Sequence, residues 1–209
     1  MNIKRLRQAE KEFLNRYPGG FEHPEMLELA KKHKKDKLTN LARDYFAKKN
    51  FSDPHEIVAS MVKLVAQSTM VSLFEKPKFR DMATSLTPRE KEIFSRALKD
   101  LLYGKEQKGF EALLSELANR KMAKWTLMTV FKYYFRPEVE VFVKPSTAKL
   151  VISSLELDLV YKPRPSWEFY AAYRDIINDI KSKVDITLSP SNAAFCGFLM
   201  MALDEEMMR

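Results

Sequence analysis

The chain has 209 residues, enough to bury a sizeable core as one large domain or two small ones, and its 45% hydrophobic and 31% charged residues exclude a disordered chain. A single cysteine, Cys196, excludes an internal disulfide framework and points to a reducing compartment. The net charge is +8, and residues 1–50 carry 13 Lys and Arg against 7 Asp and Glu, so the basic character is largely N-terminal.

The opening MNIKRLRQAEKEF lacks an apolar core and a small-residue cleavage site, so a cytoplasmic location is expected. Ile3, Leu6, Phe13, Leu14 and Tyr17 are spaced for one helical face, and Pro18-Gly19-Gly20 stops it. Pro24 opens a second helical pattern that runs through Leu27 to Leu38, Leu41, Ala42 and Tyr45. The lysine cluster KKHKKDK at 31–37 interrupts this stripe. Either one helix carries a basic band there, or two helices meet near His33 to Asp36.

Asp53 or Ser52 as N-cap, Pro54 and Glu56 start the next helix, whose Ile57, Val58, Met61, Leu64 and Val65 make it apolar around much of its girth. Thr87-Pro88-Arg89-Glu90 is a capping box ahead of Phe94, Leu98 and Leu101, and Gly104 ends that helix. Further helices are expected through Phe110 to Ala118 and Met122 to Phe135. From Arg136 the pattern changes. Val139, Val141 and Val143 alternate with Glu138, Glu140 and Phe142, and Leu155, Leu157, Leu159 and Tyr161 alternate with Glu156, Asp158 and Val160, which predicts two short strands, with Ser146 to Ser154 between them as a short helix capped by Ser146. Ser166 is placed to cap a helix through Trp167 and Ile180, and Ser189-Pro190-Ser191 to start the last one. The run 193–203 is shorter than the roughly 20 residues that span a bilayer, so membrane insertion is not expected.

The expected fold is therefore mainly α, a multi-helix globular protein with a short two-stranded β element in the C-terminal half. A basic helical part at 1–120 and a mixed part at 121–209 divide the sequence, or form one continuous domain.

Five glycines, none in phosphate-cradling or dinucleotide spacing, argue against the common nucleotide-binding classes. His23, His33 and His55 lie in separate segments, so no metal site and no cofactor are expected, and Cys196 reads as a buried inert thiol. Glu140 and Lys144 resemble a nuclease strand only loosely. They share a face but stand about 13 Å apart along an extended chain, too far to share one metal and its water.

Four basic-proline dipeptides fall within thirty residues: Arg136-Pro137, Lys144-Pro145, Lys162-Pro163 and Arg164-Pro165. Proline holds the preceding residue extended, which projects each cation from the end of an element. The candidate anion or nucleic-acid site comprises Lys31, Lys34, Lys35, Lys124, Trp125, Arg136, Lys144, Lys162, Arg164 and Trp167, with cations for phosphates and aromatics for bases. The alternative is a solvated basic surface over an aromatic core.

Residues 124–149, KWTLMTVFKYYFRPEVEVFVKPSTAK, followed by 155–167, LELDLVYKPRPSW, resemble a segment of uncharacterised bacterial proteins with a K-W, F-x-K-P and Y-x-P-x-P-x-W order. The resemblance implies a bacterial origin and a shared C-terminal module without an established activity. The leading expectation is a basic nucleic-acid-associated binding protein whose partner is nucleic acid or an acidic protein surface. A protein-interaction or assembly module is the alternative, supported by Met200, Met201, Met207 and Met208, and an enzyme is the less favoured third reading. The sequence names no oligomeric state.

Overall fold

Side-chain caps start some of the helices in the computed structural model, which describes residues 1–204. Asn2 accepts from the Arg5 N–H to open α1, Ile3–Arg16. Next come α2, Pro24–His33, and α3, Lys35–Tyr45, separated by Lys34 in the left-handed region at φ 51°. The basic stretch is thus the junction of two helices, and the backbone there is one that a side chain disfavours by about 1–2 kcal/mol. Asp53 accepts from the His55 and Glu56 N–H groups at the start of α4, Pro54–Gln67. The helix α5 covers Glu75–Thr84, and the Thr87–Glu90 capping box opens α6, Pro88–Tyr103. They are followed by α7, Glu106–Asn119, α8, Trp125–Phe135, α9, Pro145–Ser154, and α10, Trp167–Lys181. Ser191 caps α11, Asn192–Leu203.

Contacts divide the chain into two compact units that are not consecutive in sequence. One holds His33–Arg136 and Arg164–Trp167. Its centre is α8, in which every residue from Leu127 to Phe135 is buried. Phe131 of α8 lies 6.1 Å from both Phe46 and Phe79, and α4 adds Ile57, Met61 and Leu64 to the same core. Each such fully buried side chain contributes about 1.5–3 kcal/mol of transfer free energy. The helices α6 and α7 pack closely because Gly109 has no side chain: a Cβ there would lie 2.2 Å from the Leu101 nitrogen.

The other unit holds Met1–Lys32, Pro137–Pro163 and, among the described residues, 168–204. Phe13 of α1 meets Phe198 of α11 edge-on at 5.3 Å. Gly19 and Gly20 both take positive φ, and Gly20 packs so tightly on Thr187 that a Cβ would stand 2.6 Å from the Thr187 carbonyl oxygen.

The expected β element is absent: among the described residues there is no strand. The chain at 137–143 runs without helix, yet its backbone groups are taken up elsewhere. The Pro137 carbonyl accepts from the Asn192 N–H at 2.9 Å, the Glu138 carbonyl from Lys181 Nζ at 2.5 Å, and the Val139 carbonyl from Asn178 Nδ2 at 2.9 Å. A second strand therefore has few acceptors left to pair with. Burial does not alternate either, since Val139 is 48% exposed whereas Glu140, Val141, Phe142 and Val143 are all buried. At 155–161 the chain turns. Glu156 adopts φ 48°, and the Leu157 and Leu159 N–H groups bond back to Ile152 and Leu157, a path no extended ladder permits. The helix expected at 146–154 is present as α9, but it bridges no strands and Ser146 is not its cap: Lys144 holds the N-cap position without a side-chain cap bond and Pro145 opens the helix.

No helix among the described residues is long and apolar enough to cross a membrane. Met207 and Met208 lie outside the described residues, and Met200 and Met201 are half-buried in α11.

Candidate nucleic-acid interface

In the unit built on α8, the loop 68–74 between α4 and α5 is fastened at three points. Ser68 is fully buried, and its hydroxyl lies 3.1 Å from the Tyr134 hydroxyl of α8. Burial holds the Tyr134 phenol above its ordinary pKa, with the Ser68 and Thr69 hydrogen bonds pulling the other way. His33 Nδ1 lies 3.1 Å from Thr69 Oγ1. At the far end, Thr126 Oγ1 of α8 donates to Glu75 Oε2 at 2.8 Å.

These bonds decide which cations surround the loop. His33 directly precedes Lys34, Lys35 and Lys37, so its bond to Thr69 brings the start of α3 to the loop. Thr126 follows Lys124 by two residues, so its bond to Glu75 brings the N-cap of α8 to the start of α5. Lys34, Lys37, Lys78 and Lys124 are exposed, and Lys35 and Lys76 are half-buried. The loop itself presents Leu73 and Phe74, which are 78% and 80% exposed. Asp36 stands 3.9 Å from Lys35 and is the acidic group within the lysine run.

The loop tip has a fixed shape. The Phe74 N–H donates to Ser72 Oγ at 3.2 Å, while the Ser72 carbonyl accepts from both the Glu75 and Lys76 N–H groups. An exposed aromatic residue thereby sits on a turn of defined backbone, in a loop whose two ends are tied to the lysine-bearing starts of α3 and α8.

The other sequence-derived candidates take different positions. Trp125 is 2% exposed and packs on Phe110 at 6.5 Å, so it is core. Trp167 is half-buried, meets Phe110 at 5.7 Å, and lies 5.7 Å under the Lys132 ammonium. Lys132 is itself buried and 3.1 Å from Glu106. Arg136 is half-buried and donates from Nη2 to the Leu102 carbonyl at 2.6 Å, which satisfies an end of α6. Arg164 is exposed in the same unit. In the other unit Lys31 pairs with Glu28 at 2.6 Å, and Lys144 and Lys162 are exposed. The structure thus ties the segments that carry Lys34, Lys35 and Lys124 to the two ends of one loop and gives Trp125 and Arg136 packing and capping roles.

Sequence reasoning missed Leu73, Phe74, Lys76 and Lys78. The available signal was an apolar pair outside any helical period, preceded by a turn-forming Ser72 and followed by Lys76-Pro77-Lys78.

A second polar cluster lies in the other unit. Tyr170 donates to the buried Glu140 carboxylate at 2.6 Å, and Arg174 approaches the same oxygen at 3.5 Å. Burial first, then the adjacent carboxylate, holds the Tyr170 phenol well above its usual value. Lys181 bridges the Glu138 carbonyl and Asn192 Oδ1, and burial lowers its ammonium pKa. This cluster fastens backbone to helix. Among the described residues, no group of three or more His, Cys, Asp or Glu is placed to hold a metal ion.

Comparison of the chain with family models, with curated proteins and with solved structures finds no match.

Proposed function

We propose that this protein is a basic, cytoplasmic nucleic-acid-associated binding protein that takes phosphate backbone on the face around the loop 68–74. The observation that carries the reading is that the two ends of that loop are tied to the segments bearing Lys34 and Lys35 and bearing Lys124, through the His33–Thr69 and Thr126–Glu75 hydrogen bonds. Cations drawn from three elements around one ordered loop follow a phosphate chain better than a run along one helix. The lysines supply affinity without base selection, since an ammonium is a point charge rather than a planar fork.

The test is fluorescence anisotropy with labelled oligonucleotides at graded salt. If about five lysines meet phosphate, affinity falls about 100-fold between 50 and 200 mM salt. The variant Lys34→Glu/Lys35→Glu/Lys124→Glu, with an unchanged circular dichroism spectrum, should bind at least tenfold more weakly and show a shallower salt slope. Equal affinity of this variant and the wild type would sink the reading.

A further inference from the structure

We infer that the nucleic acid taken at this face is single-stranded, with the Phe74 ring serving as a platform on which one base stacks. The inference rests on the proposed binding function and adds the class of ligand.

Phe74 is 80% exposed, although full burial of a phenylalanine in a folded core is the usual outcome. The ring is also not on a wandering chain. The Ser72 hydroxyl and carbonyl fix the backbone at residues 74–76, Glu75 is tied to Thr126, and Ser68 is anchored under Tyr134. Stacking on a ring carried by ordered backbone costs less ordering entropy than stacking on one carried by a mobile chain.

A phenyl ring has no hydrogen-bonding group with which to read the edge of a paired base. Its flat face matches the face of a base, and those faces are accessible in a single strand and stacked away in a duplex. The start of α3 is tied to Thr69 and the start of α8 to Glu75, so lysine-bearing segments join both ends of the loop that carries the ring, and a strand with a base on that ring runs toward positive charge. Leu73, adjoining the ring and 78% exposed, adds apolar surface against the sugar or the next base.

The experiment measures anisotropy of a labelled 20-mer single strand and of its duplex, with wild type, Phe74→Ala, Phe74→Trp and the triple lysine-to-glutamate variant. Phe74 and the lysines to be changed are exposed or half-buried, so the variants are expected to fold, and circular dichroism checks this. Wild type should prefer the single strand. Phe74→Ala should lose about tenfold or more of single-strand affinity while keeping duplex affinity and the salt slope, and Phe74→Trp should restore it. If the triple variant loses binding while Phe74→Ala binds like wild type, the stacking inference fails and the binding function stands. If the triple variant binds like wild type, the binding function fails. Vesicles containing anionic phospholipid form the last arm: binding to them that requires Phe74, with no oligonucleotide binding, overturns both.

Discussion

Asn178 Nδ2 donates to the Val139 carbonyl oxygen at 2.9 Å, and this side-chain bond occupies the position that a neighbouring strand would fill. One helix face continues the arrangement. Tyr170, Arg174, Asn178 and Lys181 recur along α10 at helical spacing, and each reaches the segment 138–140. Asn178 Oδ1 also accepts from Asn192 Nδ2 at 3.0 Å, which joins the start of α11 to the same row. An extended segment is stable here because a polar stripe on a helix satisfies its carbonyls.

Tyr170→Phe should test that stripe at its most buried member. The variant keeps the ring volume and removes the hydroxyl that donates to Glu140, a carboxylate in a residue only 2% exposed. The expected loss is about 1–3 kcal/mol of stability, because a buried acceptor loses a donor. Asn178→Ala, at a more exposed bond, should cost about 1 kcal/mol. Urea unfolding gives both values, and a Tyr170→Phe effect smaller than that of Asn178→Ala would contradict the assignment.

Gly109→Ala should destabilise the α6 and α7 pairing. The added methyl carbon would lie 2.2 Å from the Leu101 nitrogen and 2.7 Å from the Asp100 carbonyl carbon, both backbone atoms that cannot rotate away. Although alanine favours a helix over glycine by about 1 kcal/mol, overpacking of about 1–3 kcal/mol or more should prevail. A thermal midpoint that falls by several degrees is the expected reading, and a rise would show that the two helices separate without strain.

The features legible in the sequence were those decided within one turn of chain. Asp53, the Thr87–Glu90 box and Ser191 each bond to an N–H two or three residues away, so spacing alone reveals them. The alternation at 138–143 indicated extended backbone, but its partners, Asn178 and Lys181, come from 39 and 43 residues further on. The interface divides in the same way. Lys34, Lys35 and Lys124 were legible as charge, whereas the bonds that bring them to one loop span 36 and 51 residues. Trp125 stood both as a candidate for base stacking and as core because composition does not report burial, and Phe74 was passed over because one aromatic in a loop has no period.

Lys132 and Glu106 should show unequal single-substitution costs. The Lys132 side chain is 2% exposed and that of Glu106 30%, so removing the carboxylate takes the counter-charge from a buried ammonium, whereas removing the ammonium leaves a carboxylate that still reaches water. Glu106→Leu should cost about 3 kcal/mol and Lys132→Met about 1 kcal/mol, with the double variant close to the latter. A double-mutant cycle from denaturant midpoints measures the coupling. Equal single costs would show that solvent screens both groups alike.

Stability should fall in alkaline solution, and the fall should begin with Cys196. Burial pushes the Cys196 thiol up to about 12 against the pull of the Lys181 ammonium, and burial holds the Tyr170 and Tyr173 phenols well above their usual values. Each of these groups is neutral when protonated, and in the unfolded chain they titrate near about 8.5 for cysteine and about 10 for tyrosine. Above those values the unfolded chain has released protons that the folded chain retains. It therefore binds fewer protons, and the free energy of unfolding declines as pH rises. Lys181 acts in the opposite sense near pH 10, because burial lowers its ammonium pKa and the folded chain releases that proton first. Burial also raises the Tyr103, Tyr134 and Tyr161 phenols, which add to the loss, so the net effect is a fall. Thermal unfolding should be level to about pH 8 and then fall through about pH 11, and Cys196→Ser should remove the part of the loss that sets in below about pH 10. A midpoint for that variant that falls in parallel with wild type would show that the thiol is not held protonated by the fold.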